Sequence, residues 1–569
     1  MSTLYKRILA LTLCCIIVLS VLTVWAVTNT QKTTQKTTPN LSGTSSNISS
    51  KNDNSLPNNS VQNNSMPNSK ASIVVPDDYP NISSAVEHAQ NGDVIFVKPG
   101  TYVESVTVDK PLTLQGQNTQ TIVDGNNIGP SFLVTSDNVT INGFTIRNVE
   151  NAPPPSNSLG QLAGIHLLTV HGSLVFNNTV ENCGKGVWVY GGSDNQITNN
   201  TFSGNNYGVL LDSSSNNVVA DNSAFGGWSG ILLESSEGNT LRNNDMFNNA
   251  ANFGVTGENP AFYRNNVDSS NRVDGKKVYY LISQSNLVID SATYPDLGAL
   301  VLVNSKNVTV ENLEVANTYG GIHITNAIAT TVTNNTVSNT TSGAIWLQFS
   351  SNCTVSNNNL TPNGNYGIQI ESSNSVDVNK NYIEQADTNF ISLENTSSCT
   401  VTGNSLGDPF DNGIPKSIYL DFSNYTTIED NTQVTNGVID GIYLTQSSSN
   451  LVQSNTFSRS GITITRQSNE NTIANNQFAT ERSYYGLTLF QSFGNQITDN
   501  TIYNFSTGLQ LSNAENNLIA RNVVTSKMHA AEIFMFNNNT FDSNQFMGAT
   551  DVWDMGPNTG HAASTNTWI

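Results

Sequence analysis

Three segments of this chain end in a carboxylate after an alternating apolar pair: Ile368-Gln369-Ile370-Glu371, Ile391-Ser392-Leu393-Glu394 and Ile418-Tyr419-Leu420-Asp421. In an extended strand successive side chains point to opposite faces. The apolar pair therefore turns inward, and the residue between and the closing acid turn outward. Stacked in register, Glu371, Glu394 and Asp421 would form a column at a spacing of roughly 5 Å. Three such carboxylates repel, so either a cation sits among them or one holds a proton at raised pKa. They are candidate calcium ligands. Beside them runs a second outward column of His323, Trp346, Gln369, Ser392, Tyr419 and Tyr443. Exposed Trp and Tyr next to acids would stack on sugar rings, which makes His323, Trp346, Gln369, Tyr419 and Tyr443 the candidate ligand-binding residues. Asp212 and Glu234 hold the acidic place in two earlier segments, near His166 and Trp188. The plainer alternative is that the acids are solvated strand ends and the aromatics shield a sheet face.

Catalysis asks more of the same residues. A calcium-dependent polysaccharide lyase needs a basic proton acceptor beside the acid column. Lys416 and Arg466 are the nearest in sequence. An inverting glycoside hydrolase needs two carboxyls roughly 6.5–9.5 Å apart, a spacing that a regular ladder supplies by chance. Glu371, Glu394, Asp421 and Lys416 are thus weak catalytic candidates, and a non-enzymatic role is preferred. Copper is disfavoured, because His88, His166, His171, His323, His529 and His561 are scattered without ligand spacing. Cys183, Cys353 and Cys399 read as buried free thiols. The latter two hold the same place two units apart, nearly 10 Å if stacked, too far to bridge.

Positioning these residues requires a repeat, and the sequence carries one. In Asn195–Leu211, Ile197 and Phe202 flank an Asn pair, and an alternating Val209 and Leu211 close the unit. The marking Asn recurs at 178, 200, 222 and 244, and again at 335, 358, 381, 404, 431, 455, 476, 500, 522 and 544, in steps mostly near 22 or 23. A fixed period in this range signals a solenoid. Alternation without helical spacing makes each unit two or three short strands, so the fold class is all-β, a right-handed parallel β-helix of roughly twenty coils. A leucine-rich repeat, the rival, needs a helical return leg and a Leu frame. Asn200, Asn222, Asn244, Asn335, Asn358, Asn381 and Asn404 are structural. Their short side chains suit left-handed backbone at a bend, and stacked amides can form a ladder.

Along the chain, Lys6 and Arg7 precede an uncharged apolar run, Ile8 to Val27, long enough to span a bilayer. A membrane anchor at 1–27 is preferred over a signal peptide cut after Ala26, which would give a secreted protein. Residues 28–72, rich in Ser, Thr and Asn, form a disordered linker with sequons such as that at Asn47. The remaining divisions are an N-terminal cap and first coils at 73–135, coils at 136–256, an insertion at 257–305, coils at 306–548 and a C-terminal cap at 549–569. Ile82, Ala85, Val86 and Ala89 have the spacing of a short capping helix. The formal net charge of −20 argues against nucleic-acid binding.

The cap, the GTYVE turn at Gly100–Glu104 and the Asn-rich coils resemble the carbohydrate-binding and sugar-hydrolase β-helix proteins. Within them the NosD-type group is similar, chiefly through the break after Asn244 and the segment Asn265–Tyr280. That resemblance implies an envelope protein, facing outward from the cell membrane, with three readings. The preferred one is a surface glycan-binding, adhesive or structural rod. The alternatives are a lyase or hydrolase of acidic polysaccharide and an accessory factor in copper-centre maturation.

Overall fold

The computed structural model describes residues 72–568, apart from 128, 150–161, 362–363, 409–415, 436–439, 481–483, 535–537, 549 and 555–565. The apolar run Ile8–Val27 and the linker lie outside these residues. Among those described, no helix is long and apolar enough to cross a membrane. The described residues wind into an all-β, right-handed parallel solenoid of about 20 turns with little helix.

One coil shows how the sequence dictates the fold. Gln196–Thr198, Thr201–Ser203 and Tyr207–Asp212 are its first, second and third strands. Each pairs in parallel with its equivalent in the next coil, as in Gln196↔Val218, Thr201↔Ser223 and Tyr207↔Ser229. Ile197, Phe202, Val209 and Leu211 point inward and are at most 1% exposed. Burying each such side chain contributes roughly 1.5–3 kcal/mol. The third strands approach so closely that a Cβ at Gly208 would stand 2.5 Å from the Gly230 carbonyl oxygen.

The marking asparagines form a ladder, but they are not the left-handed residues that the sequence suggested. Positive φ falls one place earlier, at Asn177 (53°), Asn199 (54°), Asp221 (58°) and Asn243 (52°). Asn200 instead turns inward at the bend. Its Oδ1 accepts from the backbone N (3.0 Å) and Nδ2 (3.1 Å) of Asn178, while its own Nδ2 donates to the Val175 carbonyl at 3.0 Å. The pattern continues through Asn222 and Asn244, and again from Asn335 through Asn358, Asn381 and Asn404. Each amide thereby satisfies backbone groups that the bend strands in the interior.

A helix, α1 (Ile82–His88), is capped by Asn81 and buries Ile82, Ala85 and Val86. At the other end Thr550–Asp554 and Thr567–Trp568 add parallel strands to the stack. Cys183, Cys353 and Cys399 are free and buried.

The insertion divides the core. Leu297–Val303 is buried at every residue. Its Ala299, Val301 and Val303 join the core of the earlier coils, and its Leu300 and Leu302 join that of the later ones. It is a partition strand, apolar on both faces because each face meets a core. The hydrogen-bonded corner before the third strands nevertheless runs through the break. Asn252 N donates to Asn317 O and Tyr319 N to Phe253 O, each at 3.2 Å, and Ser342 N then donates to Tyr319 O at 2.8 Å.

Candidate functional site

The outward face of the third strands carries three columns. Register places Gln348, Glu371, Glu394, Asp421 and Thr445 in one. His323, Trp346, Gln369, Ser392, Tyr419 and Tyr443 form the second. A third, at the strand entry, runs from Gly343 through Tyr366 and Asn389 to Lys416. The residues singled out from sequence therefore do share one face. Arg466 stands apart, just past the strand Ile462–Thr465.

They do not share one environment. His323 and Trp346, expected to be exposed, are 2% and 5% exposed. The insertion covers them: the buried Tyr263 ring meets the His323 ring edge-on at 5.1 Å, and His323 stacks on Trp346 at 4.4 Å. Open sugar stacking on these two rings is ruled out by that cover. Burial drives the His323 pKa down to about 4, so the ring is neutral. Gln348 Oε1 accepts from Tyr263 OH at 2.5 Å and lies 3.3 Å from His323 Nε2.

Glu371 accepts hydrogen bonds from Gln348 Nε2 and Gln369 Nε2. Burial pushes its carboxyl up, Glu394 adds to the rise, and the two amides pull the other way. Ser392 Oγ donates to Glu394 at 2.9 Å. Gln369 is 5% exposed, and its Oε1 has no partner among the described residues. Further along, Tyr419 and Tyr443 are half-buried, with ring centroids 5.9 Å apart, and Lys416 Nζ lies 5.3 Å from each ring. Burial, then Asp421 and Glu394, push the Tyr419 hydroxyl up to about 12.

The expected calcium shell does not converge. Glu371 is engaged by two amides, and among the described residues no group of three or more His, Cys, Asp or Glu is placed to hold a metal ion.

Sequence reasoning missed Lys185, Tyr207, Trp228, Tyr319 and Tyr366. The signal was present: Tyr207-Gly208-Val209 and Tyr366-Gly367-Ile368 both open a third strand one coil after a Trp. Tyr319 lies at the break, where no repeat marks it.

Comparison with known proteins agrees with this winding. A profile for the right handed beta helix region matches residues 131–294 and 280–415, together half of the chain. The chain belongs to the right-handed β-helix family. Within this β-helix, residues 389–568 also match the profile of the periplasmic copper-binding protein NosD. Among the described residues of that stretch, Cys399 is buried with its Sγ on Ser397 O, while His529, next to Met528 in the chain and 3.7 Å from Glu532, sits several coils away. These described residues do not converge on a copper site.

A 102-residue stretch is 30% identical to a cell surface glycoprotein of Methanothermus fervidus, covering 18% of this chain and 15% of that protein. The chain thus spans well under two thirds of that relative. Solved structures with similar winding include the mannuronan C-5 epimerase A-module of Azotobacter vinelandii, at 13% identity over 86% of this chain and 94% of that one, TM-score 0.24. Another is a DFA-IIIase of Arthrobacter chlorophenolicus in complex with GF2, at 11% identity over 80% and 95%, TM-score 0.29.

Proposed function

We propose that this protein is a surface glycan-binding β-helix whose contact face lies around Tyr366, Gln369, Glu371, Glu394, Lys416, Tyr419 and Tyr443. The observation that carries the reading is the pairing of half-buried tyrosines under Lys416 with a row of carboxylates one column away. Tyrosine faces stack on the apolar side of a sugar ring, and carboxylates accept from its hydroxyls. The relative's description as a cell surface glycoprotein supports the location. The apolar run Ile8–Val27 would supply the tether.

The row of acids, on a chain of net charge −20, repels polyanions and favours a neutral glycan. The test is retention of the full-length chain on a glycan array, with Tyr419→Ala/Tyr443→Ala beside it. Retention should fall at least tenfold in the double variant. Equal retention of both across the array would overturn the reading. Release of reducing sugar, abolished by Glu371→Gln, would replace binding with hydrolysis.

A further inference from the structure

The face just described has a counterpart in the earlier coils. Gly164-Ile-His166-Leu-Leu168, Gly186-Val-Trp188-Val-Tyr190 and Tyr207-Gly-Val-Leu-Leu-Asp212 are three successive third strands. Gly321-Ile-His323-Ile-Thr325, Ala344-Ile-Trp346-Leu-Gln348 and Tyr366-Gly-Ile-Gln-Ile-Glu371 repeat them on the far side of the insertion. His166 stacks on Trp188 at 4.2 Å and 9°, as His323 stacks on Trp346 at 4.4 Å and 12°. In both sets the coil after the Trp brings a tyrosine at strand entry and an acid at strand exit, and a second acid follows: Asp212 and Glu234, then Glu371 and Glu394.

The earlier set gathers aromatic and polar side chains. Lys185 Nζ lies 4.3 Å from the Trp188 ring, and Tyr207 meets Trp228 edge-on at 5.2 Å. Three side chains there are more than nine-tenths buried and carry polar atoms without a partner among the described residues: Ser229 Oγ, Trp188 Nε1 and both ring nitrogens of His166. Ser229 follows Tyr207 in the strand-entry column.

The two sets meet at Tyr319. It packs against the apolar cluster that includes Trp188, Leu210 and Leu232, its ring lies edge-on to Trp228 at 6.2 Å, and its backbone continues the hydrogen-bonded corner from Phe253 to Ser342 and Tyr366. Burial raises the Tyr319 hydroxyl pKa, and both Glu234 and Glu371 add to the rise, so the phenol lies within the field of both acid rows. From Lys185 to Lys416 this edge takes eight steps of about 4.8 Å, or roughly 38 Å.

We propose that Lys185, Tyr207, Trp228, Asp212 and Glu234 form a second carbohydrate subsite, and that one neutral glycan chain runs along the coil axis across Tyr319 to occupy both subsites. This rests on the glycan-binding reading. Two linked subsites bind a spanning ligand with an avidity that neither shows alone.

The test uses the full-length chain and oligosaccharides of graded length, disaccharide to dodecasaccharide, cut from neutral glucan and mannan, with a polyuronate series beside them. Affinity should rise at least tenfold between tetrasaccharide and dodecasaccharide. Tyr207→Ala/Trp228→Ala should remove that rise and halve tetrasaccharide stoichiometry, leaving the later subsite's affinity intact. Asp212→Asn/Glu234→Gln, which leaves the packed aromatics in place, should do the same if the aromatic pair fails to fold. A length-independent affinity, or a rise that survives both variants, overturns the second subsite while leaving the proposed function standing. Preferential binding of polyuronate overturns the neutral class. Failure of every glycan to bind overturns the proposed function itself.

Discussion

The hydroxyl of Tyr263 donates a 2.5 Å hydrogen bond to Oε1 of Gln348, tying the insertion to a coil 85 residues further along the chain. The contact closes the insertion over His323 and holds the amide whose Nε2 donates to Glu371. Tyr263→Phe keeps the packing and deletes the donor. It should cost about 1 kcal/mol, read as a shift of the denaturation midpoint. An unchanged midpoint would show that the hydroxyl holds nothing.

The ladder and the bend separate two asparagines that stand next to each other. Asn222→Ala removes the acceptor for Asn200 N and Nδ2 inside the core, and should destabilise by roughly 2–4 kcal/mol. Asn199→Gly, at φ 54°, should be neutral to within about 1 kcal/mol, because glycine adopts that conformation without strain. Thermal melts of the pair would reverse in order if the bend, rather than the ladder, were the costly element.

Acid sensitivity has a named source. Burial lowers the His166 pKa from 6.5 to about 4, with Lys185 adding to the effect. The unfolded chain takes up the proton first, so the folded state loses stability as pH falls from 6.5 towards 4, by a shift on the order of 3 kcal/mol at the lower end. His166→Phe keeps the stack on Trp188 and should flatten the fall in that window.

Glu371 carries the opposite sign. Its folded pKa is raised, so its contribution is fully present at acid pH, below the unfolded value, and is lost as pH rises through the folded one. The stability difference between wild type and Glu371→Gln should therefore shift in favour of the variant as pH rises. A difference independent of pH would remove Glu371 from the account.

The partition strand predicts which half of the solenoid responds to a cavity. Leu300→Ala empties space in the later core, and Val301→Ala in the earlier one. A Leu→Ala cavity costs about 2–5 kcal/mol. Hydrogen exchange should quicken in the later coils for Leu300→Ala and in the earlier coils for Val301→Ala.

Local pattern alone determined the fold. The step near 22, the alternation of Ile197, Val209 and Leu211, and the Asn at each bend fixed parallel coils and aligned Glu371, Glu394 and Asp421 in one column, because stacking with a constant step turns sequence spacing into spatial neighbours. Tertiary structure decided what surrounds the column. The cover over His323 and Trp346 comes from Tyr263, in a segment outside the period, and Tyr319 joins the two acid rows through a hydrogen-bonded corner that skips the insertion. Such contacts depend on where a non-repeating segment folds back, and a periodic signal carries no information about that. The burial that packed His323 and Trp346 away and left Tyr419 and Tyr443 only half-buried was settled only in three dimensions.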